Sequence, residues 1–237
     1  MAAPCRRLRL NKRGRAAISF SMDIKICGLS TPETVNAALD NGASHIGFIF
    51  FPKSPRNVSA DTAAPLRQLA RGRAQTVVVT VNADDQALDT IVSAVQPDVL
   101  QLHGGETPER VSAVKARYGL PVMKALSIST ADDLTHAQDY AGVADRLLFD
   151  AKPPKGADLP GGNGITFDWS LLHGLDASLP YMLSGGLNAS NVGDALARVH
   201  PSGLDISSGV ERAPGIKDAA LIDAFFAAIR SAKQRAA

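Results

Sequence analysis

From Asp23 onward, short apolar or β-branched runs begin every 22–35 residues and alternate with stretches of helical character, and no other property narrows the fold as much. The runs span 23–27, 45–50, 75–81, 98–102, 121–126, 146–150, 181–184 and 204–207. Amphipathic segments near 31–41, 60–71, 84–95, 107–118, 130–140, 168–173, 190–198 and 217–233 separate them, giving eight strand–helix units. Helix starts carry their own signals. Ser30-Thr31-Pro32-Glu33, Thr107-Pro108-Glu109 and Ser129-Thr130-Ala131-Asp132 each set a hydroxyl cap before a first turn with an acid in it. Gly42 and Gly119 stand where helix ends want positive φ.

Spacing of this kind is that of right-handed βα crossovers. Continuously apolar strands such as Val77-Val78-Val79 suit a parallel sheet covered by helices and filled inside. Eight units close into an α/β fold of one kind, a single (βα)8 TIM barrel over 23–237. A doubly wound open sheet is the alternative, but the first strand is not followed by Gly-x-Gly-x-x-Gly.

The net charge of +2 conceals an asymmetry. Of the 25 Lys and Arg, six (Arg6, Arg7, Arg9, Lys12, Arg13 and Arg15) fall within residues 1–22, which hold no acid; the remaining 19 face 23 acids. A nucleic-acid partner would rest on that tail alone, and none is expected. The tail lacks the apolar core of a secretory signal, and no run approaches the ~18 residues that span a bilayer, so neither export nor a membrane is expected. An organellar transit peptide fits the Arg-rich composition. Lacking apolar periodicity, residues 1–22 are read instead as a disordered or non-native extension ahead of Met22. With two cysteines, one of them in the tail, Cys27 is expected to be a reduced thiol in a cytoplasmic protein.

In such barrels the site lies at the C-terminal strand ends. Those ends carry Cys27, Asn82, His103, Ser127, Asp150, Ser184-Gly185-Gly186 and Ser207-Ser208-Gly209. Glycines let backbone N–H groups approach an oxyanion, and loops after strands seven and eight are where these barrels hold phosphate. Gly185, Gly186, Ser207, Ser208 and Gly209 are therefore the expected phosphate cradle.

Cys27 can be a nucleophile or a general base, and Lys25, two residues back, can share its face. Its plain alternative is a small buried hydrophobe. For Asp150, desolvation in a half-closed pocket favours the neutral carboxyl, which suits a general acid. The competing reading pairs Asp150 with Lys152 or has it cap the next loop. Arg56, in a loop stiffened by Pro52 and Pro55, offers a planar fork to a substrate carboxylate. A solvated loop arginine is its competitor. His103 can donate a hydrogen bond to a ligand, or be structural. Asp205, if it faces inward, can orient a hydroxyl or amine. The glycine-rich 156–164, with Gly161-Gly162-Asn163-Gly164, reads as a lid or as a plain connector. No His–carboxylate cluster has metal-ligand spacing, and no nucleophile elbow or Walker loop occurs, so neither metal nor cofactor is expected.

Taken in order, Lys25-Ile26-Cys27-Gly28, Gly47-Phe48-Ile49-Phe50, Ser54-Pro55-Arg56, Gln101-Leu102-His103-Gly104, Asp150, Gly161-Gly162-Asn163-Gly164, Ser184-Gly185-Gly186-Leu187 and Asp205-Ile206-Ser207-Ser208-Gly209-Val210-Glu211 resemble the phosphoribosylanthranilate isomerase family of tryptophan biosynthesis. The resemblance covers 23 to about 230; family members often carry threonine where Asn163 stands. It implies an aldose–ketose isomerisation, an Amadori rearrangement of N-(5-phosphoribosyl)anthranilate, with Asp150 as general acid and Cys27 as general base. It further implies Arg56 on the anthranilate carboxylate, the glycines after strand seven and Ser207-Ser208-Gly209 on the phosphate, and Asp205 near the substrate nitrogen. The expected partner is a small phosphorylated substrate, and the expected assembly a monomer. A sister isomerase of histidine biosynthesis has an aspartate ending strand one, where this chain has Cys27. A barrel that only binds a phosphorylated ligand is the non-enzymatic alternative.

Overall fold

The computed structural model describes residues 9–10, 16–17, 22–153, 156, 160–162, 164–175 and 180–235. Most of the expected extension over 1–22 therefore lies outside the described residues, apart from a two-residue antiparallel pairing of 9–10 with 16–17.

Eight parallel strands close a barrel: β1 Asp23–Cys27, β2 His45–Phe50, β3 Gln75–Thr80, β4 Val99–Leu102, β5 Val122–Ile128, β6 Arg146–Ala151, β7 Tyr181–Leu183 and β8 Gly203–Ile206. Closure is made by β8 against β1, where Asp205 pairs with Lys25 and Ile206 with Ile26. Every expected strand is present, with ends shifted by one or two residues. The helices are α1 Pro32–Asp40, α2 Ala60–Ala70, α3 Asp85–Val95, α4 Pro108–Tyr118, α5 Ala131–Thr135, α6 Val192–Arg198 and α7 Ala219–Arg235. Thr31 and Thr107 accept from the N–H groups of Thr34 and Arg110, as their positions predict. Gly42 and Gly119 take φ of 90° and 64°.

Three expectations change. The sixth unit has a 3-10 turn, Trp169–Gly174, instead of an α-helix. Trp169 and Leu172 are both buried and hold this six-residue stretch against the core. The fifth helix stops at Thr135 and gives way to a separate turn at Gln138–Tyr140. Lys217, placed by periodicity at the start of the last helix, belongs to a short antiparallel pairing of Glu211–Ala213 with Ile216–Lys217.

Alternation along each strand sorts the core into two layers. Ile24, Ile26, Ile46, Phe48, Val78, Leu100, Leu147 and Phe149 face the helices. Val77, Val79, Val99, Met123, Ala125, Leu148 and Met182 fill the barrel together with Cys27. Polar side chains sit on that inner face too, with Lys25 and Gln101 fully buried. Among the described residues no helix is long and apolar enough to cross a membrane.

Candidate active site

The C-terminal mouth of the barrel opens into a cleft. Cys27, Arg56, His103, Asp150, Ser184, Gly185, Gly186, Asp205, Ser207 and Ser208 all line it. The strand-end residues Asn82 and Ser127 are not in that lining; Asn82 instead bonds to Glu106 and Gly105. Gly209 packs behind that wall, where a Cβ would run into the Leu187 carbonyl, and the loops after β7 and β8 thus rest on one another.

Cys27 is a free, buried thiol at the last position of β1. Lys25 lies on the same inward face, its Nζ 2.8 Å from Asp205 Oδ1. Both Cys27 Sγ and Lys25 Cε sit within 3.2 Å of where a Cβ on Gly47 would stand, so a larger residue there would press on both side chains. Burial pushes the Cys27 thiol up; Lys25 and Lys217 pull it down, Asp205 adds to the rise, and the net shift is upward. Burial lowers Lys25, but Asp205 and Cys27 outweigh it and the ammonium is held above its ordinary value. Asp205 faces inward as the alternation requires, and its contact with Lys25 has no signature in the local sequence.

Asp150 does not pair with Lys152, which instead reaches Asp133 at 3.1 Å. Its Oδ1 accepts from the Ala151 N–H at 3.0 Å, and its Oδ2 lies 3.3 Å from His103 Nε2. That approach is close but too poorly aligned for a hydrogen bond, so among the described residues Nε2 is a buried polar atom without a partner. Gln101 Nε2 lies 2.9 Å from His103 Nδ1; with the amide donating, the imidazole proton sits on Nε2, beside Asp150.

Arg56 is buried, with Nε 2.7 Å and Nη2 2.8 Å from the two oxygens of Glu211. It is no solvated loop arginine. Glu211 also contacts Lys217, whose Nζ donates to the Ser207 carbonyl and hydroxyl at 3.1 Å each. Burial lowers the Lys217 ammonium and raises the Glu211 carboxyl; for Glu211, Arg56 and Lys217 reverse the sign and hold it low. Sequence reasoning misses both roles. Glu211 is visible there only as the end of a motif, and Lys217 carries no signal at all.

Gly185 and Gly186 adopt φ of 87° and 62°. Among the described residues their N–H groups donate to no backbone carbonyl, which leaves them available to an anion. Of the glycine-rich segment after β6, Pro160, Gly161, Gly162 and Gly164 line the cleft. A Cβ on Gly161 would lie 2.5 Å from Asp150 Oδ2, and one on Gly162 2.5 Å from Arg56 Nη1. Asn163 lies outside the described residues. Together the cleft offers a carboxyl, a thiol, a guanidinium and an anion cradle. Among the described residues no group of three His, Cys, Asp or Glu side chains could hold a metal.

The family model described as N-(5'phosphoribosyl)anthranilate (PRA) isomerase matches residues 24–228. N-(5'-phosphoribosyl)anthranilate isomerase from Brucella canis is 66% identical over 213 residues, which are 90% of this chain and 96% of the relative. The crystal structure of phosphoribosyl anthranilate isomerase from Thermotoga maritima superposes with a TM-score of 0.80 at 34% identity, over 90% of this chain and 100% of that one. A phosphoribosyl anthranilate isomerase crystallised with reduced 1-(o-carboxyphenylamino)-1-deoxyribulose 5-phosphate gives a TM-score of 0.78 at 32% identity, covering 89% and 100% of the respective chains.

Proposed function

The chain belongs to the N-(5'-phosphoribosyl)anthranilate isomerase family, and from that premise we propose how its own residues carry the reaction. The enzyme converts N-(5-phosphoribosyl)anthranilate into 1-(2-carboxyphenylamino)-1-deoxyribulose 5-phosphate, a step of tryptophan biosynthesis. In our reading Asp150 gives its proton to the furanose ring oxygen. The C1′–O bond breaks, and the nitrogen lone pair forms the iminium. Cys27, as thiolate, removes the C2′ proton, leaving an enolamine that tautomerises to the ketone. No cofactor is needed, because the oxidation at C2′ and the reduction at C1′ occur within one molecule.

The observation that supports this assignment is that Cys27 and Asp150 line the same cleft as the two phosphate-type loops. A thiol held mostly protonated in the free protein is a poor base. The iminium changes that, since a cation beside Cys27 stabilises its thiolate and acidifies the C2′ proton at the same step. His103, its unpartnered Nε2 beside Asp150, is suited to a ligand hydroxyl or to orienting the carboxyl. The phosphate is assigned to the N–H groups of Gly185, Gly186, Ser208 and Gly209 and the Ser208 hydroxyl, while the Ser207 hydroxyl, which donates to the Cys27 carbonyl, holds that loop in place. Arg56 is assigned to the anthranilate carboxylate, and Asp205 to the substrate nitrogen.

The site needs no second copy to be complete, and we propose a monomer located in the cytoplasm. Light scattering on the purified protein checks the assembly. Turnover is tested by mixing the protein with the aminated sugar phosphate and following anthranilate-type fluorescence. Its decay at a rate proportional to enzyme is expected, whereas tight binding of the reduced product analogue with no decay would leave only a ligand-binding barrel.

A further inference from the structure

Arg56 meets the cleft with half of its guanidinium already occupied. Glu211 takes the Nε and Nη2 edge at 2.7 and 2.8 Å, and Nη2 also reaches the Gly162 carbonyl at 3.2 Å. Among the described residues no acceptor is bonded to Nη1, which lies against Gly162 at the cleft wall. Glu211 is itself fixed twice, by Lys217 Nζ on Oε1 and by the Gly215 N–H on Oε2 at 3.3 Å. Lys217 in turn grips Ser207, whose hydroxyl donates to the Cys27 carbonyl at 3.1 Å.

The charges of this chain of contacts matter as much as its geometry. Arg56 and Glu211 alone would form a neutral pair, and a filled guanidinium edge beside a carboxylate is a poor receptor for another carboxylate. Lys217, buried against Glu211, returns the group to a net charge of +1. We propose that Glu211 and Lys217 are positioning residues for substrate recognition: Glu211 fixes the Arg56 plane so that its Nη1 side faces the aromatic carboxylate, and Lys217 offsets the charge that Glu211 brings while tying it to the Ser207 loop. The proposal rests on the assignment of Arg56 made above. It adds that the carboxylate is met by Nη1 of Arg56, because Nε and Nη2 are already taken by Glu211 and the Gly162 carbonyl.

Two ligands test it, the reduced product analogue and the same compound lacking the ring carboxylate, with dissociation constants measured by fluorescence. Glu211→Gln is expected to weaken the carboxylate-bearing ligand at least ~10-fold and to leave the other within about threefold. In an Arg56→Ala background, Glu211→Gln should cause no further loss. Because Glu211→Gln leaves two buried cations facing each other, Glu211→Gln/Lys217→Met serves as a second variant with that repulsion removed, and the same selective weakening is expected of it. Equal weakening of both ligands, additive losses with Arg56→Ala, or unchanged affinity in the folded double variant would each overturn the proposal. Equal affinity of the unsubstituted protein for the two ligands would remove the carboxylate contact, and the proposal with it, while isomerase turnover stood.

Discussion

Lys25 Nζ lies 2.8 Å from Asp205 Oδ1 inside the barrel, on neighbouring strands in direct register, with Cys27 the next inward side chain above Lys25. Lys25 is fully buried and the Asp205 side chain is only 5% exposed, at the cleft, so the pair cannot be dismissed as a surface contact. Removing one charge strands the other in a medium that solvates it badly, a loss of about 3–5 kcal/mol for comparable buried pairs. Lys25→Met should therefore lower the unfolding free energy, measured by urea titration, by that amount, and Lys25→Met/Asp205→Leu should recover most of it. A single variant as stable as the parent would show that the pair is not held as described.

Ionisation of Cys27 is expected to be displaced upward, since burial opposes the thiolate more strongly than Lys25 and Lys217 favour it. In the unfolded chain the thiol ionises near about 8.5. The folded protein then binds the proton more tightly, and the stability this contributes is complete below that pH and is lost as pH rises through the folded value. Alkylation by iodoacetamide, followed peptide by peptide so that Cys5 does not confuse the reading, should show an inflection for Cys27 above about 8.5. An inflection below it, with fast labelling at neutral pH, would mean that the thiolate is populated before substrate arrives.

Cys27→Ser and Asp150→Asn keep size and polarity while removing the proposed base and acid. Each should lower kcat by at least ~10²-fold with little change in affinity for the reduced product analogue. Full activity in either would reassign the chemistry, most directly to His103, whose Nε2 stands 3.3 Å from Asp150.

The barrel and most of its site were legible because both follow from short-range rules. Apolar runs at βα spacing locate the strands to within two residues, and the convention of strand-end chemistry then gathers Cys27, Asp150 and the glycine loops. The rest depends on contacts between residues far apart in the chain. Lys25 and Asp205 are 180 positions apart, and Arg56 and Glu211 are 155 apart. No local pattern joins such pairs, and Lys217 looks in the sequence like any charged residue opening a helix. The helix expected over 168–173 is overread for the converse reason: an apolar spacing that spans so few residues fits a 3-10 turn as well as an α-helix.

Two glycines separate conformational need from steric need. Gly42 has φ of 90° and nothing within 4 Å of where a Cβ would stand, so Gly42→Ala strains the backbone far from the cleft. It should cost about 1–2 kcal/mol of stability and leave turnover intact. At Gly161 backbone strain is not at issue: a Cβ there would stand 2.5 Å from Asp150 Oδ2 and 2.8 Å from His103 Nε2. Gly161→Ala must lift the segment or turn both side chains aside, and displacements of about 1 Å at reacting groups can lower rates by ~10²-fold. The expected result is an unchanged urea midpoint with a fall in kcat/KM of that order, measured by the fluorescence decay. If Gly161→Ala keeps full turnover, the segment after β6 does not close against the acid in the way the glycine's contacts imply.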